Sequence, residues 1–504
     1  MNDITKDSGL CAVNDVDGTQ AGCWDFESKD LVTNPNTDGY SLQDKVHTSA
    51  GYDPNVGNGG LFPDTIVDSG SNYRAPIDPD LQGAHTDETL LGYEWAFKPG
   101  WKAGALVIKR DLGSAIEDMS LDFGKNFIIA NPGGPYRFFV DPQNRDMVNP
   151  DYVPGSADPS QQPGFAQIAG CAPGRVCKLD NDDLRSLGFD GFPKATRRFD
   201  GVQFEVSGQA RKRLWLNFTY LRSQTIGNYR GRYFIETEER DPNLTEAFDV
   251  PALVVNADGP LPQDQENQVK LFGNVTLTPN ASLGVTYRFA SGGPYSATTD
   301  PTGGSTPFFG PLFLLQRGTA GRLPSQHGVD LGFAYNIKDQ GALKVSLTLD
   351  LFNVLNEQHA VSVDEQFMAT GVWANPFPDG YGGITFDPQL SKVGRGEPLL
   401  EYVDTSFGNA DGNVDRAEWN SWAQSFQGRF KSLDDLYSFL HTETVTLTQS
   451  GETFVAPAYP GFAGCAATLK EALAEGCTGI NSGFGKSRLL ESPRSIRLGI
   501  RMTF

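Results

Sequence analysis

The feature that most constrains this chain is strict alternation at period two, clearest in its last nine residues. Ile496, Leu498, Ile500, Met502 and Phe504 share one parity, and Arg497, Gly499, Arg501 and Thr503 share the other. Side chains alternate across a strand, so this segment reads as a β-strand between two different environments. In a soluble sandwich the apolar face would meet a core and the strand would run on into a turn. Alternation that finishes on an aromatic residue with arginines opposite fits lipid on one side and a wet lumen on the other. On this reading Ile496, Leu498, Ile500, Met502 and Phe504 are the signal that closes a barrel.

The pattern recurs upstream. Leu343, Val345, Leu347, Leu349 and Leu351 alternate with Lys344, Ser346, Thr348 and Asp350. Val329, Leu331, Phe333, Tyr335 and Ile337 form another row, as do Leu283, Val285, Tyr287 and Phe289. Val269, Leu271, Val275 and Leu277 precede these across a turn at Thr278-Pro279-Asn280. Leu214, Leu216, Phe218 and Tyr220 follow Val202, Phe204 and Val206, and Leu91, Tyr93, Trp95 and Phe97 lead into Trp101 to Arg110. About nine or ten strands are expected, an even total being the rule in such barrels. Short turns at 97–102, 209–213, 278–281 and 338–342 alternate with long polar links at 112–197, 224–266, 291–327 and 357–493. Membrane barrels show this asymmetry, with short periplasmic turns and long outer loops, and a soluble lectin-like sandwich rarely tolerates so many long connections. The expected organisation is therefore a long polar region over 1–86, then barrel strands with long extracellular loops over 87–504. Short helices are expected within the last link at Ser432 to Leu440 and Ala466 to Leu473. The fold class is all-β, an antiparallel transmembrane barrel of which this chain supplies C-terminal strands.

Composition agrees once the barrel is considered. The mean hydropathy is −0.36, and no run reaches the length and apolarity of a spanning helix. Alternation hides a barrel from hydropathy, and 57 glycines with 33 phenylalanines supply turns and aromatic girdles. The formal net charge of −21 excludes a phosphate-backbone partner, so no nucleic acid is expected. Six cysteines fall into three local pairs in polar stretches, Cys11 with Cys23, Cys171 with Cys177, and Cys465 with Cys477. Local pairing of this kind reads as disulfide-stapled loops in an oxidising compartment. Met1 to Gly18 is polar and lacks the apolar core of a signal peptide. For an exported protein this implies that the natural beginning lies elsewhere.

No catalytic constellation is present, and the chain is not expected to be an enzyme. His47, His85, His327, His359 and His441 are scattered without metal-ligand spacing. One motif points to a metal. Asn409-Ala410-Asp411-Gly412-Asn413-Val414-Asp415-Arg416-Ala417-Glu418 follows an EF-hand loop from its third position, with oxygen donors at alternate residues and Gly412 at the sharp turn. The first ligand position is Phe407, and Asp404 lies three residues earlier. The candidate Ca2+ ligands are thus Asp404, Asn409, Asp411, Asn413, Asp415 and Glu418, and the competing reading is a polar turn rich in Asp and Asn. Arg288, Lys344, Asp350, Arg497 and Arg501 are candidates to line a wet interior or to bond between strands.

Several stretches resemble one family. Ile480-Asn481-Ser482-Gly483-Phe484-Gly485 and Ser492-Pro493-Arg494-Ser495-Ile496-Arg497-Leu498-Gly499 look like the end of TonB-dependent receptors. They are nearest the Oar-like branch, which carries a carboxypeptidase-regulatory-like domain at its N-terminus. Asp350-Leu351-Phe352-Asn353-Val354-Leu355-Asn356 resembles that family's penultimate-strand motif. Gly227-Asn228-Tyr229-Arg230-Gly231, Val255-Asn256-Ala257-Asp258-Gly259-Pro260-Leu261-Pro262, Ala320-Gly321-Arg322-Leu323-Pro324 and Leu91 to Glu117 match the same branch in order. The resemblance implies a plugged barrel of about twenty-two strands, in the outer membrane of a Gram-negative-type cell. It implies as partners the outer-membrane lipid, the barrel-assembly machinery, an unidentified ligand, and TonB acting through an N-terminal plug. Plug and TonB box are expected to lie outside this chain, which reads as a C-terminal fragment of a ligand-importing receptor. A surface structural or adhesive protein and a passive porin are the alternatives.

Overall fold

The period-two segments become one antiparallel sheet in the computed structural model. Its described residues are 23–25, 30–32, 77–121, 127–139, 171, 175–186, 191–231, 248–299, 311–340, 343–369, 391–392, 398–410, 412–414, 416–449 and 452–503. The chain divides into two units, Met1–Ala75 and Pro76–Phe504. In the first, Cys23–Asp25 pairs antiparallel with Asp30–Val32. Cys11, His47 and Phe504 lie outside the described residues.

Nine long strands form the sheet of the second unit. They are β1 (His85–Lys98), β2 (Trp101–Ser114), β3 (Arg197–Arg211), β4 (Leu214–Gly227), β5 (Asn267–Thr278), β6 (Ala281–Ala290), β7 (Gln326–Gln340), β8 (Leu343–Phe352) and β9 (Ser495–Thr503). Each pairs with its sequence neighbour, giving an open meander, and the short segment Gly259–Pro260 adds to the end of β4. Register carries the apolar rows onto one face. Ile500 stands opposite Leu347, Leu347 opposite Tyr335, and Tyr335 opposite Ala281. Farther along, Leu271 faces Phe218, Phe218 faces Val206, Val206 faces Ala103, and Ala103 faces Trp95. None of the described residues covers this face at its ends: Leu498 is 78% exposed and Tyr93 is 74% exposed.

Because strand direction alternates, the first and ninth strands run the same way. Pairing β1 directly with β9 would make a parallel seam. An antiparallel closure therefore needs an odd number of further strands between them.

The four short turns gather at one end of the sheet and the four long links at the other. The links hold more structure than the polar connections with two short helices that the sequence predicts. The first carries the hairpin Glu117–Ser120 with Phe127–Ala130, the pair Tyr136–Phe139 with Val176–Leu179, and a helix at Asn181–Ser186. The fourth carries helices α1 (Pro398–Phe407), α2 (Arg416–Gln424), α3 (Leu433–Thr442) and α4 (Leu469–Glu475) and the hairpin Thr444–Gln449 with Glu452–Pro457. Two of these helices fall where the sequence places them. Ser432 caps α3 by accepting the Asp435 N–H, and Thr468 caps α4 by accepting the Glu471 N–H. The links bury two apolar cores. One groups Met119, Ile128, Tyr136, Phe138, Phe192 and Phe248; the other is built on Leu253, Leu314, Phe367, Trp422, Phe426 and Tyr459.

Rim residues join sheet to links. Gly227 ends β4 at φ 153°, and a methyl group there would land on the Thr196 carbonyl at the start of β3. Asn228 fixes the same corner, its Oδ1 accepting the Thr196 N–H at 2.6 Å and its Nδ2 donating to the Lys194 carbonyl at 2.9 Å. Gly227→Ala should therefore lower stability by about 3 kcal/mol, combining backbone strain with a clash that only backbone movement relieves. Urea unfolding should show a reduced midpoint with little change in slope.

Candidate functional site

The face opposite the apolar rows is polar and cross-linked. Arg497 on β9 donates to Asp350 on β8, with Nη2 at 2.8 Å and Nε at 3.0 Å from Oδ2. Arg288 on β6 meets Asp330 on β7 at 2.8 Å. Lys102 pairs with Glu94 at 2.9 Å and Arg110 with Glu88 at 2.8 Å, tying β1 to β2. Such exposed pairs contribute about 0–1 kcal/mol each, so they define the face more than they hold it. Of the residues expected here, Arg288, Asp350 and Arg497 are in ion pairs, and Arg501 stands in register with Ser346. Lys344 is in register with Thr503, and its side chain lies outside the described residues.

The links converge on Asn256, a non-glycine residue at φ 57° that is 3% exposed. Its Nδ2 donates to the carbonyls of Phe313 (3.0 Å) and Phe426 (2.9 Å), and its Oδ1 accepts the Gly428 N–H at 2.8 Å. Its own N–H donates to Gln427 Oε1 at 2.9 Å, and its carbonyl accepts the Arg317 N–H at 2.8 Å. One side chain thereby binds the second, third and fourth links. Beside it lies a charged cluster. Arg317 and Arg230 are buried, and Arg317 Nη1 donates to the Asn228 carbonyl at 2.9 Å while its guanidinium stacks 4.4 Å from the Phe313 ring centre. Glu365 is partly buried and accepts the Ser296 N–H at 2.7 Å. Burial pushes the Glu365 carboxyl up to about 7, against the opposing pull of Ser296, Arg230 and Arg317. Burial also draws Arg317 down to about 9, leaving it charged at neutral pH.

At the calcium-like motif the chain forms a helix–loop–helix. Asp404 sits in α1 and Glu418 in α2, both buried, and Gly412 turns at φ 85°. Asp404 Oδ2 accepts the Gly412 N–H at 3.1 Å, and Glu418 Oε1 accepts the Asn409 N–H at 3.1 Å. Asp411 and Asp415 lie outside the described residues, as does the side chain of Asn413. Among the described residues no group of three His, Cys, Asp or Glu is set to hold a metal ion. Sequence reasoning misses α1 and α2, although Trp419, Trp422, Ala423 and Phe426 carry helical spacing.

Disulfides join Cys171 to Cys177 and Cys465 to Cys477, one in each core. The histidines are less scattered than their spacing implies. His327 and His359 bring their ring centres to 6.0 Å, with Glu357 2.8 Å from His359 Nε2 and the Tyr287 hydroxyl 3.2 Å from His327 Nδ1.

Comparison with known proteins bears on this arrangement. No protein-family model matches the chain. The TonB-dependent transporter Oar of Myxococcus xanthus is 27% identical over 360 residues, covering 68% of this chain. The chain resembles the barrel region of an Oar-like TonB-dependent receptor. It spans 27% of that relative's length. Solved structures score low. The ferric-catecholate import receptor Fiu of Escherichia coli gives a TM-score of 0.28 at 10% identity, covering 57% of this chain and 25% of that one. The outer-membrane transporter YddB of the same organism gives 0.31 at 12% identity, covering 56% and 30%.

The Asn256 knot generates a direct expectation. Asn256→Ala leaves several buried carbonyl and amide groups without their partner and should cost about 2–4 kcal/mol. Thermal unfolding of the variant, with protease cleavage mapped within the three links, reads both the cost and its location.

Proposed function

We propose that this chain supplies the C-terminal nine strands of an outer-membrane receptor barrel that takes a ligand across the membrane. The observation that carries the reading is the single apolar face continuous over nine strands, backed by a polar, ion-paired face. An apolar face of that extent without a covering layer has lipid as its natural partner, and the polar face then lines the lumen. The similarity to a TonB-dependent transporter supports the same reading. On this reading the long links face outward and select the ligand together with a plug domain. TonB acts through that plug, and the barrel-assembly machinery inserts the strands.

Strand parity supports an incomplete barrel. A barrel of about twenty-two strands leaves about thirteen to come from outside these nine, an odd number, as antiparallel closure on β1 and β9 requires. An open half-barrel would otherwise expose backbone edges to hydrocarbon, which has no hydrogen bonds to offer them.

Expressed with an export leader, the chain should fractionate with the outer membrane and need detergent for extraction. Recovery as a soluble monomer without detergent would overturn the proposal. Within the membrane-assembled protein, Leu498→Arg on the apolar face should cost about 2–4 kcal/mol, whereas Arg501→Gln on the opposite face should stay within about 1 kcal/mol. Denaturant titration in lipid vesicles compares the two.

A further inference from the structure

His327 and His359 are distant in sequence and meet at the end of the sheet where the long links leave. Strand pairing and a tight turn bring them there. His327 opens the apolar row of β7 and stands in register with Phe289 on β6. Past β8 the chain reverses at Asn353, whose Oδ1 accepts the Glu357 N–H at 3.2 Å and whose Nδ2 donates to the Glu357 carbonyl at 2.8 Å. Two residues on, the His359 carbonyl accepts the Glu491 N–H at 3.0 Å. The backbone at each histidine is thus pinned, and the ring centres lie 6.0 Å apart with their planes 56° from parallel. We propose that His327 and His359 form a two-imidazole site for a divalent transition-metal ion of the zinc or copper class, which clips the root of the fourth link to β7.

The partners of the two rings suit this use. Glu357 Oε2 stands 2.8 Å from His359 Nε2, and the Tyr287 hydroxyl stands 3.2 Å from His327 Nδ1. A histidine that ligates a metal commonly gives its other ring N–H to a carboxylate or another oxygen, which fixes the tautomer and the ring orientation. With Nε2–H of His359 donated to Glu357 and Nδ1–H of His327 donated to Tyr287, the lone pairs remain on His359 Nδ1 and His327 Nε2. Among the described residues nothing hydrogen-bonds either atom. Two imidazoles bound to one ion at about 2.0–2.1 Å per nitrogen hold their ring centres about 5–6.5 Å apart. The observed separation falls in that range, so the pair needs little movement to close on an ion.

The donor set decides which ions fit. Glu357 is committed to His359, so the protein supplies two nitrogens and water completes the shell. Such a site is open and exchangeable, unlike a closed four-ligand structural site. Imidazole donors suit Zn2+, Cu2+ and Ni2+, whereas Ca2+ and Mg2+ take oxygen. The His359 side chain is 24% exposed, which leaves the ion a way in from solvent. The Phe289 ring, 5.1 Å from that of His327, backs the site on its other side.

Cu2+ is the probe, added to the full chain after a chelator has removed any metal. A variant with His47→Gln, His85→Gln and His441→Gln keeps only the proposed pair. It should take up one Cu2+ whose electron paramagnetic resonance spectrum shows coupling to two imidazole nitrogens. A spectrum with one such nitrogen or none would overturn the site. In the same background His359→Gln should abolish the two-nitrogen spectrum, and Glu357→Gln should weaken binding about tenfold or more. Should the triple variant fail to fold, the wild-type background decides, because His327→Gln and His359→Gln chains that bind Cu2+ with unchanged stoichiometry and affinity are equally fatal. Zn2+ tests the clip. At about ten times its dissociation constant it should slow hydrogen exchange in peptides covering 326–330 and 357–363 about tenfold, leaving the short turns at the other end of the sheet unaffected. Zn2+ that binds without slowing those peptides would refute the clip. None of these outcomes bears on whether the strands belong to a receptor barrel.

Discussion

Backbone hydrogen bonding between sequence neighbours is the constraint on which the rest depends. Every strand from β2 to β8 has both of its edges satisfied by the strand before it and the strand after it. Such pairing is local in sequence and fixes the alternation of faces at the same time. A slip of one residue at any hairpin would turn every later side chain to the wrong face. The rim contacts guard against this. Asp330 on β7 accepts the Asn353 N–H at 2.9 Å, and Asn353 Nδ2 donates to the Ser492 carbonyl ahead of β9 at 2.9 Å. Two polar side chains thereby hold β7, β8 and β9 in step.

The stretches that resemble the receptor family concentrate at this rim. Gly227 and Asn228 lock β3 to β4, Asn256 gathers three links, and Arg322 reaches Asp264 at 2.6 Å and Glu266 at 3.0 Å. Asn353 and Asn356 take the left-handed backbone conformation just past β8. These motifs encode how strands pass into links. In this structure their described contacts are architectural.

The strands were legible because period two needs only a few residues to declare itself and because Thr-Pro-Asn or Lys-Pro-Gly marks the reversal. The helices α3 and α4 were legible through Ser432 and Thr468, whose hydroxyls cap them locally. The link interiors were not. Trp422, Phe426 and Tyr459 are far apart in sequence, and polar residues between them mask a shared core when only composition is read. Arg230 and Arg317 sit in stretches that read as solvated loop, yet both are buried, and no local pattern distinguishes a buried arginine from an exposed one. The approach of His327 to His359 is likewise a product of strand pairing and not of spacing. At Asn409 to Glu418 the spacing pointed to calcium, and the described carboxylates of Asp404 and Glu418 bond the loop's own amides.

The two edges of the sheet have the opposite problem to the links. The links bury their polar groups in a layer that the chain completes by itself. Among the described residues the sheet leaves β1 and β9 with one unpaired edge each, both strands running in the same direction. Two copies laid edge to edge in the same orientation would place β1 beside β9 in parallel, with the slanted, slightly weaker ladder that parallel pairing gives, and two copies related by a two-fold axis would pair like edges antiparallel but send their links to opposite ends. Complementary strands of odd number avoid this and keep every ladder antiparallel. A distinct partner segment of odd strand number thus meets two conditions that self-association does not meet together: antiparallel ladders at both edges, and all the links leaving from one end of the sheet.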